Sequence, residues 1–269
     1  MNMAPKTSTQ ELRSILLHVD AAPRCTQRLR MAQALAARHG AALDLLYAVT
    51  PAVLSQPLGL AEAAGVTMQA LQAVDDERRQ ATERMVREAG AGAAWAVASE
   101  ASPLAGFTEH ALFADLLVMG QHDGVQPWLA GTPADFVESV LLASGKAALV
   151  LPCVGHFDTV GERVLLAWKP TREAAHALAA ALPLLCGARE LHVVGVGDDE
   201  RPRLDTFLQR HHAPLEGSAG ELLLSLASDF EVDLLVMGCF GHSRAREWVL
   251  GGATRTVLQS MTVPVLMAH

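Results

Sequence analysis

The chain has 269 residues, of which 51% are hydrophobic, 19% charged and 4% aromatic, and its formal net charge is −8. At a soft prior of about 150 residues per domain, that length makes one large domain or two small ones. The negative balance argues against general affinity for nucleic acid or an anionic membrane surface, and an apolar content made mostly of Ala, Leu and Val suits helices on a buried sheet better than a sandwich.

In chain order, the opening Met1-Asn2-Met3-Ala4-Pro5-Lys6 runs into polar sequence without the apolar segment of a secretory leader. The expectation is therefore a cytoplasmic protein. Strand and helix patterns then alternate: β at 15–20, α at 24–39, β at 42–49, α at 64–89, β at 93–98, α at 103–112, β at 115–120, α at 132–144 and β at 147–151. Gly40 stands where a helix C-cap glycine belongs. Continuous apolar strands separated by helices predict a parallel, doubly wound α/β sheet. The stretch from Thr50 to Gly65 is left over, and reads as a surface loop or as a lid near a ligand site.

A second unit follows a junction punctuated by Gly155, Asp158 and Gly161. Its strands fall at Val164–Lys169, Leu191–Val196, Asp233–Gly238 and Val263–Met267, with a faint one near Ala213–Leu215. Its helices run up to Gly187, over Arg201–His211, over Gly220–Asp229, and from Gly251 onward. The longest uncharged runs, Leu45–Ala61 and Ala174–Ala188, are shorter than the about 18 apolar residues of a membrane span. Cys25, Cys153, Cys186 and Cys239 form no CxxC pair and read as reduced thiols.

The two units are copies. Asp115–Gly120 and Asp233–Gly238 both read DLLVMG, and Ile15–Asp20 aligns with Val164–Lys169 upstream. The expected division is 1–154 and 162–269. In a parallel sheet, ligands sit at the carboxyl ends of the strands. Beyond the second repeat come Gly238, Cys239, Phe240 and Gly241, then nine residues, then Gly251-Gly252-Ala253-Thr254 opening the last helix. Glycine lets backbone N–H groups approach a ligand closely. A helix N-terminus favours an anion. The pattern fits a phosphate chain, although the glycines also serve as ordinary turn and cap residues.

This spacing, Gly-x2-Gly-x9-Gly after a strand ending Met-Gly, resembles the universal stress protein family, as does the closing Pro264-Val265-Leu266-Met267. The resemblance covers nearly the whole chain, one family unit per half. It implies two tandem five-stranded parallel α/β units of Rossmann-like type, packed as an intramolecular pseudo-dimer, and it leaves a further homodimer open. It also implies ATP or another adenine nucleotide as ligand. Carried onto the second half, the nucleotide site comprises Ala167, Trp168, Lys169, Val193, Met237, Gly238, Phe240, Gly241, His242, Gly251, Gly252, Ala253 and Thr254. A degenerate first site comprises Asp20, Gly120, Gly131 and Thr132.

Departures from the family pattern divide the site between the halves. The family's nucleoside-contacting Asp is present as Asp20 but replaced by Lys169 in the second half. The Ser or Thr after the third glycine is Gly252 in the second half and Thr132 in the first. The first half has Asp123 where a middle glycine belongs, and ten residues rather than twelve between its outer glycines. A carboxylate there repels phosphate, so the second half is the expected nucleotide site. His242, Arg244 and Arg246 read equally as groups that offset phosphate charge or as solubilising surface, and Glu247 among them weakens the first reading. No nucleophile elbow or Walker lysine is evident, and His211-His212 reads as solvated surface. The reading is a stress-response module that binds an adenine nucleotide in its second half; the alternative is a ligand-free interaction module.

Overall fold

The computed structural model describes residues 11–55, 67–90, 93–98, 102–124, 131–195, 201–213, 223–240 and 253–269. The first half runs β1 (Ser14–Val19), α1 (Cys25–His39), β2 (Ala42–Tyr47), α2 (Ala52–Ser55), α3 (Met68–Glu88), β3 (Ala94–Val97), α4 (Pro103–Ala111), β4 (Leu116–Gly120), α5 (Phe136–Ser144) and β5 (Ala148–Leu151). The second runs β6 (Arg163–Ala167), α6 (Arg172–Leu185), β7 (Glu190–Val194), α7 (Arg201–Arg210), α8 (Leu223–Asp229), β8 (Leu234–Gly238), α9 (Ala253–Ser260) and β9 (Val265–Ala268). Gly40 caps α1 in the left-handed region, φ 65°.

Each half is a parallel sheet with helices on both faces. The order is β3-β2-β1-β4-β5 in the first half and β9-β8-β6-β7 in the second. The first half supplies the expected five strands. The second supplies four among the described residues: Ala213 lies outside any strand, and residues 214–222 are outside the described set. The remainder of the connection between β2 and α3, residues 56–66, is likewise not described. Its start forms α2, whose Ala52 N–H donates to the Asp75 carboxylate at 2.8 Å.

The repeated hexapeptide does the same work twice. Its first residue, an aspartate, precedes the central strand and grips the chain entering the neighbouring strand. Asp115 Oδ2 accepts from the N–H groups of Arg13 and Ser14. Asp233 accepts from Gly161, Glu162 and Arg163. Each carboxylate satisfies donors at the amino end of a strand, where a parallel ladder leaves them unpaired. Beyond it, the apolar run is buried on both faces in both copies. Central parallel strands require that, since helices cover each side. One core layer packs α1, α3, α6 and α7 on one face, and the other packs α4, α5, α8 and α9 on the opposite face.

The halves join into a single nine-stranded sheet. β5 and β9 pair antiparallel, with Ala148 opposite Met267, Leu149 opposite Leu266 and Val150 opposite Val265. All six side chains are essentially buried. Side-chain ties cross the same boundary. Arg38 of α1 donates to the carbonyls of Val160 and Gly187. Gln121, directly after β4, donates to the Leu258 carbonyl of α9 at 2.8 Å and accepts from Cys153 N–H at 2.9 Å.

Replacing Asp233 with Ala removes the shared acceptor of three backbone donors, so the unfolding free energy should fall by about 1–3 kcal/mol. Urea denaturation followed by circular dichroism measures the difference, and an unchanged midpoint would refute the clamp.

Candidate functional site

The carboxyl ends of β1 and β4 open on a cavity of about 170 Å³. His18 and Asp20 come from the end of β1, and Gln27 and Arg28 from the first turns of α1. Gly120, Gln121, His122 and Asp123 follow β4, and Thr132 and Phe136 flank the start of α5. Three of the four residues expected in a first site, Asp20, Gly120 and Thr132, therefore meet here. Gly131 serves the backbone beside it. It sits at φ 65°, its carbonyl accepts from Thr50 N–H, and a Cβ there would stand 2.3 Å from Val49 Cγ1.

What occupies the cavity wall was not anticipated from sequence. Arg28 Nη2 lies 2.6 Å from Asp20 Oδ1, with both side chains about 95% buried. The same carboxylate oxygen accepts from Ala22 N–H at 2.9 Å. Burial works against the charge of Arg28, but the adjacent Asp20 carboxylate more than compensates and holds the guanidinium charged. The Cys25 thiol beside them is pushed up to about 11, chiefly by burial, and stays protonated. Gly120 has no side chain because Arg28 needs the space: a Cβ there would stand 2.2 Å from Nη1. Asp20 is thus spent on a partner from its own chain.

His18 completes the group. Its Nε2 lies 2.9 Å from the Ala48 carbonyl and so carries the proton. Its Nδ1 then faces Asp20 Oδ2 at 3.7 Å. Phe107 and Phe136 enclose the ring at centroid distances of 5.3 and 4.8 Å. Burial is the largest influence on this imidazole and outweighs the attraction of Asp20, so its pKa is lowered and the ring is neutral.

The second half is built differently at the same strand ends. Lys169 is exposed where Asp20 is buried. Trp168 N–H donates to the Val194 carbonyl at 2.8 Å, just past the end of β6. Val193 and Trp168 belong to one face of the sheet, and Ala167, Met237 and Phe240 to the other. Phe240 adopts a left-handed φ of 59°, and its N–H donates to Thr254 Oγ1 at 3.3 Å. That bond pins the loop after β8 to the first turn of α9, whose Ala253 opens the helix. Gly238 has a packing reason of its own: a Cβ would stand 2.5 Å from Ala174 N and 2.6 Å from Glu173 C, in the first turn of α6. Gly241, His242, Gly251 and Gly252 lie outside the described residues, as do Arg244, Arg246 and Glu247. Among the described residues no group of His, Cys, Asp and Glu is arranged to hold a metal ion.

The model of the universal stress protein family matches twice, over residues 11–137 and 142–269. A universal stress protein of Synechocystis sp. is 28% identical over 173 residues, covering 56% of this chain and 57% of that protein, so the chain matches little more than half of that relative's length. The crystal structure of a universal stress protein from Archaeoglobus fulgidus superposes with a TM-score of 0.73 at 15% identity, covering 96% of both chains. Another from Archaeoglobus fulgidus, in complex with dAMP, is 16% identical and covers 51% of this chain and 96% of its own, with a TM-score of 0.34.

Two outcomes test the contrast between the strand ends. Gly238→Ala meets backbone and should cost about 2–4 kcal/mol. Gly120→Ala meets the buried guanidinium of Arg28 and strains its pairing with Asp20, and should cost about 3–5 kcal/mol. Thermal unfolding of both variants checks the order. For His18, a folded-state pKa below the unfolded 6.5 means that the unfolded chain binds more protons in that window. Its contribution is fully present above pH 6.5 and is lost as the pH falls through that value. In His18→Leu that part of the slope should vanish in denaturation midpoints measured from pH 7.5 to 5.5.

Proposed function

The chain belongs to the universal stress protein family, and from that premise we propose a stress-responsive regulatory module that binds one adenine nucleotide per chain, in its second half. The observation that carries the reading is the unequal fate of the two strand ends. In the first half, the carboxylate that would meet a nucleoside is held by Arg28 at 2.6 Å. The cavity beside it, about 170 Å³, is well below the roughly 300–1,000 Å³ of a site for a drug-sized ligand. In the second half, the full glycine spacing is kept in sequence, and Thr254 ties the strand-end loop to a helix start, where free N–H groups favour phosphate. Lys169, exposed at the end of β6, offers an ammonium to the same anion. ATP is the natural candidate, its triphosphate being the part of the ligand that the retained features address. Cytoplasmic action fits four cysteines that are free thiols. Among the described residues, no helix is long and apolar enough to cross a membrane.

The contact of Gly238 with α6 and the loss of the second Asp favour a different reading, a ligand-free interaction module, because they leave fewer features that demand a nucleotide. Calorimetric titration of the full chain with ATP separates the two. The nucleotide reading requires a stoichiometry near one, loss of binding in Gly251→Val, and retention in Asp20→Asn. No heat with ATP, ADP or AMP, and no nucleotide released on denaturing freshly purified protein, would establish the ligand-free module instead.

A further inference from the structure

The helix that leads into β9 is anchored at both ends, and the two anchors belong to different halves. At its start, Thr254 Oγ1 accepts from Phe240 N–H at 3.3 Å, which ties α9 to the loop after β8. Near its end, the Leu258 carbonyl accepts from Gln121 Nε2 at 2.8 Å, a side chain of the first half. Gln121 is itself held in place. Its Oε1 accepts from Cys153 N–H at 2.9 Å, and its own N–H donates to the Leu151 carbonyl at 2.8 Å. The repeat shows why α9 takes a donor from outside. The last four carbonyls of a helix have no partner within it. Leu141 in α5 and Leu258 in α9 stand equally far ahead of β5 and β9. The Leu141 carbonyl accepts from Gly145 N–H, with Gly145 left-handed at φ 63°. After α9 the residue in that place is Thr262, and a β-branched residue enters that conformation only under strain. The Leu258 carbonyl takes its hydrogen bond from Gln121 instead. One residue past its own copy of the hexapeptide, the second half has Cys239. A thiol is only a weak donor, so the amide cap runs one way, from the first half to the second.

We propose that Gln121 is a positioning residue for the second-half site: by capping α9 from the first half, it holds the start of that helix where phosphate is bound. The role rests on the second half being the nucleotide site. A helix of eight residues is about 12 Å long at 1.5 Å per residue, so a shift at its capped end reappears at its first turn. Such a short helix has little stability of its own. Its place is set by the buried side chains of Thr254, Val257 and Leu258 and by the bonds at its two ends. First-turn N–H groups favour an anion only when they point at it. Without the amide of Gln121, the Leu258 carbonyl and the Cys153 N–H lose their partner together, and the apolar face alone does not fix the helix along its axis.

Gln121→Met in the full chain keeps the length of the side chain and removes both amide bonds. Without nucleotide, hydrogen exchange read by NMR should quicken at Phe240 and through α9 by about three- to tenfold, the loss of one neutral hydrogen bond. The amides of α5, which ends on its own glycine, should keep their rates. In calorimetric titration, ATP should bind about three- to tenfold more weakly with the stoichiometry unchanged. Adding Thr262→Gly to Gln121→Met gives α9 the cap that α5 has and should return both readings most of the way. Exchange in α9 and ATP affinity equal to those of the unaltered chain overturn the proposal. So does faster exchange shared equally by α5, which marks general loosening, or a loss that the added glycine leaves untouched. If the unaltered chain takes up no ATP, the nucleotide reading falls and the affinity effect with it, while the exchange rates still decide whether Gln121 fixes α9.

Discussion

The register between each central strand and its neighbour is the constraint from which the rest follows. A parallel ladder has no hairpin to fix it, and a slip of one residue would turn every apolar side chain toward the wrong layer. In both halves an aspartate at the foot of the central strand removes that freedom by accepting the N–H groups of the approaching chain. With the foot fixed, the length of the strand determines where its carboxyl end lies. Gly120 and Gly238 then arrive at equivalent register positions in the two halves. The differences between the halves are differences in what was placed around a common position.

Most of the frame was legible in the sequence because it rests on periodicity and repetition. Apolar runs of strand length, helices of regular spacing and the glycine after α1 specify elements without reference to distant residues. The role of the repeated aspartate was less visible, because a residue that reads as the first of a strand gives no hint that its carboxylate turns back to the preceding element. The fused sheet was legible only through a family resemblance. The pairing of β5 with β9 joins segments more than 100 residues apart, and neither strand differs in composition from its neighbours.

The site was legible by position and illegible by content. The sequence located the strand ends and Asp20, but not Arg28. A signal was present all the same. Cys25, Leu29, Ala32, Leu35 and Ala36 recur on the buried face of α1, and Arg28 falls at the same helical spacing. An arginine on an apolar face is rare unless paired, and the nearest carboxylate upstream is Asp20. The glycines pulled the other way. Read as ligand-approach residues, Gly120 and Gly238 have protein neighbours that account for them, because an absent side chain makes room for whichever atom is nearest.

The seam between β5 and β9 has a consequence for how such a protein changes over time. A symmetric dimer of identical subunits uses one patch twice, so each substitution appears on both sides of the axis and in both sites at once. Joining the units in a single chain ends that bookkeeping. The strand pair needs only the two different edges to fit each other, and its paired residues are apolar and buried. One copy can therefore bury an arginine against its aspartate while the other exchanges the aspartate for lysine, and the shared sheet is indifferent to both. Duplication with fusion converts a molecule obliged to be twofold into one free to specialise by halves.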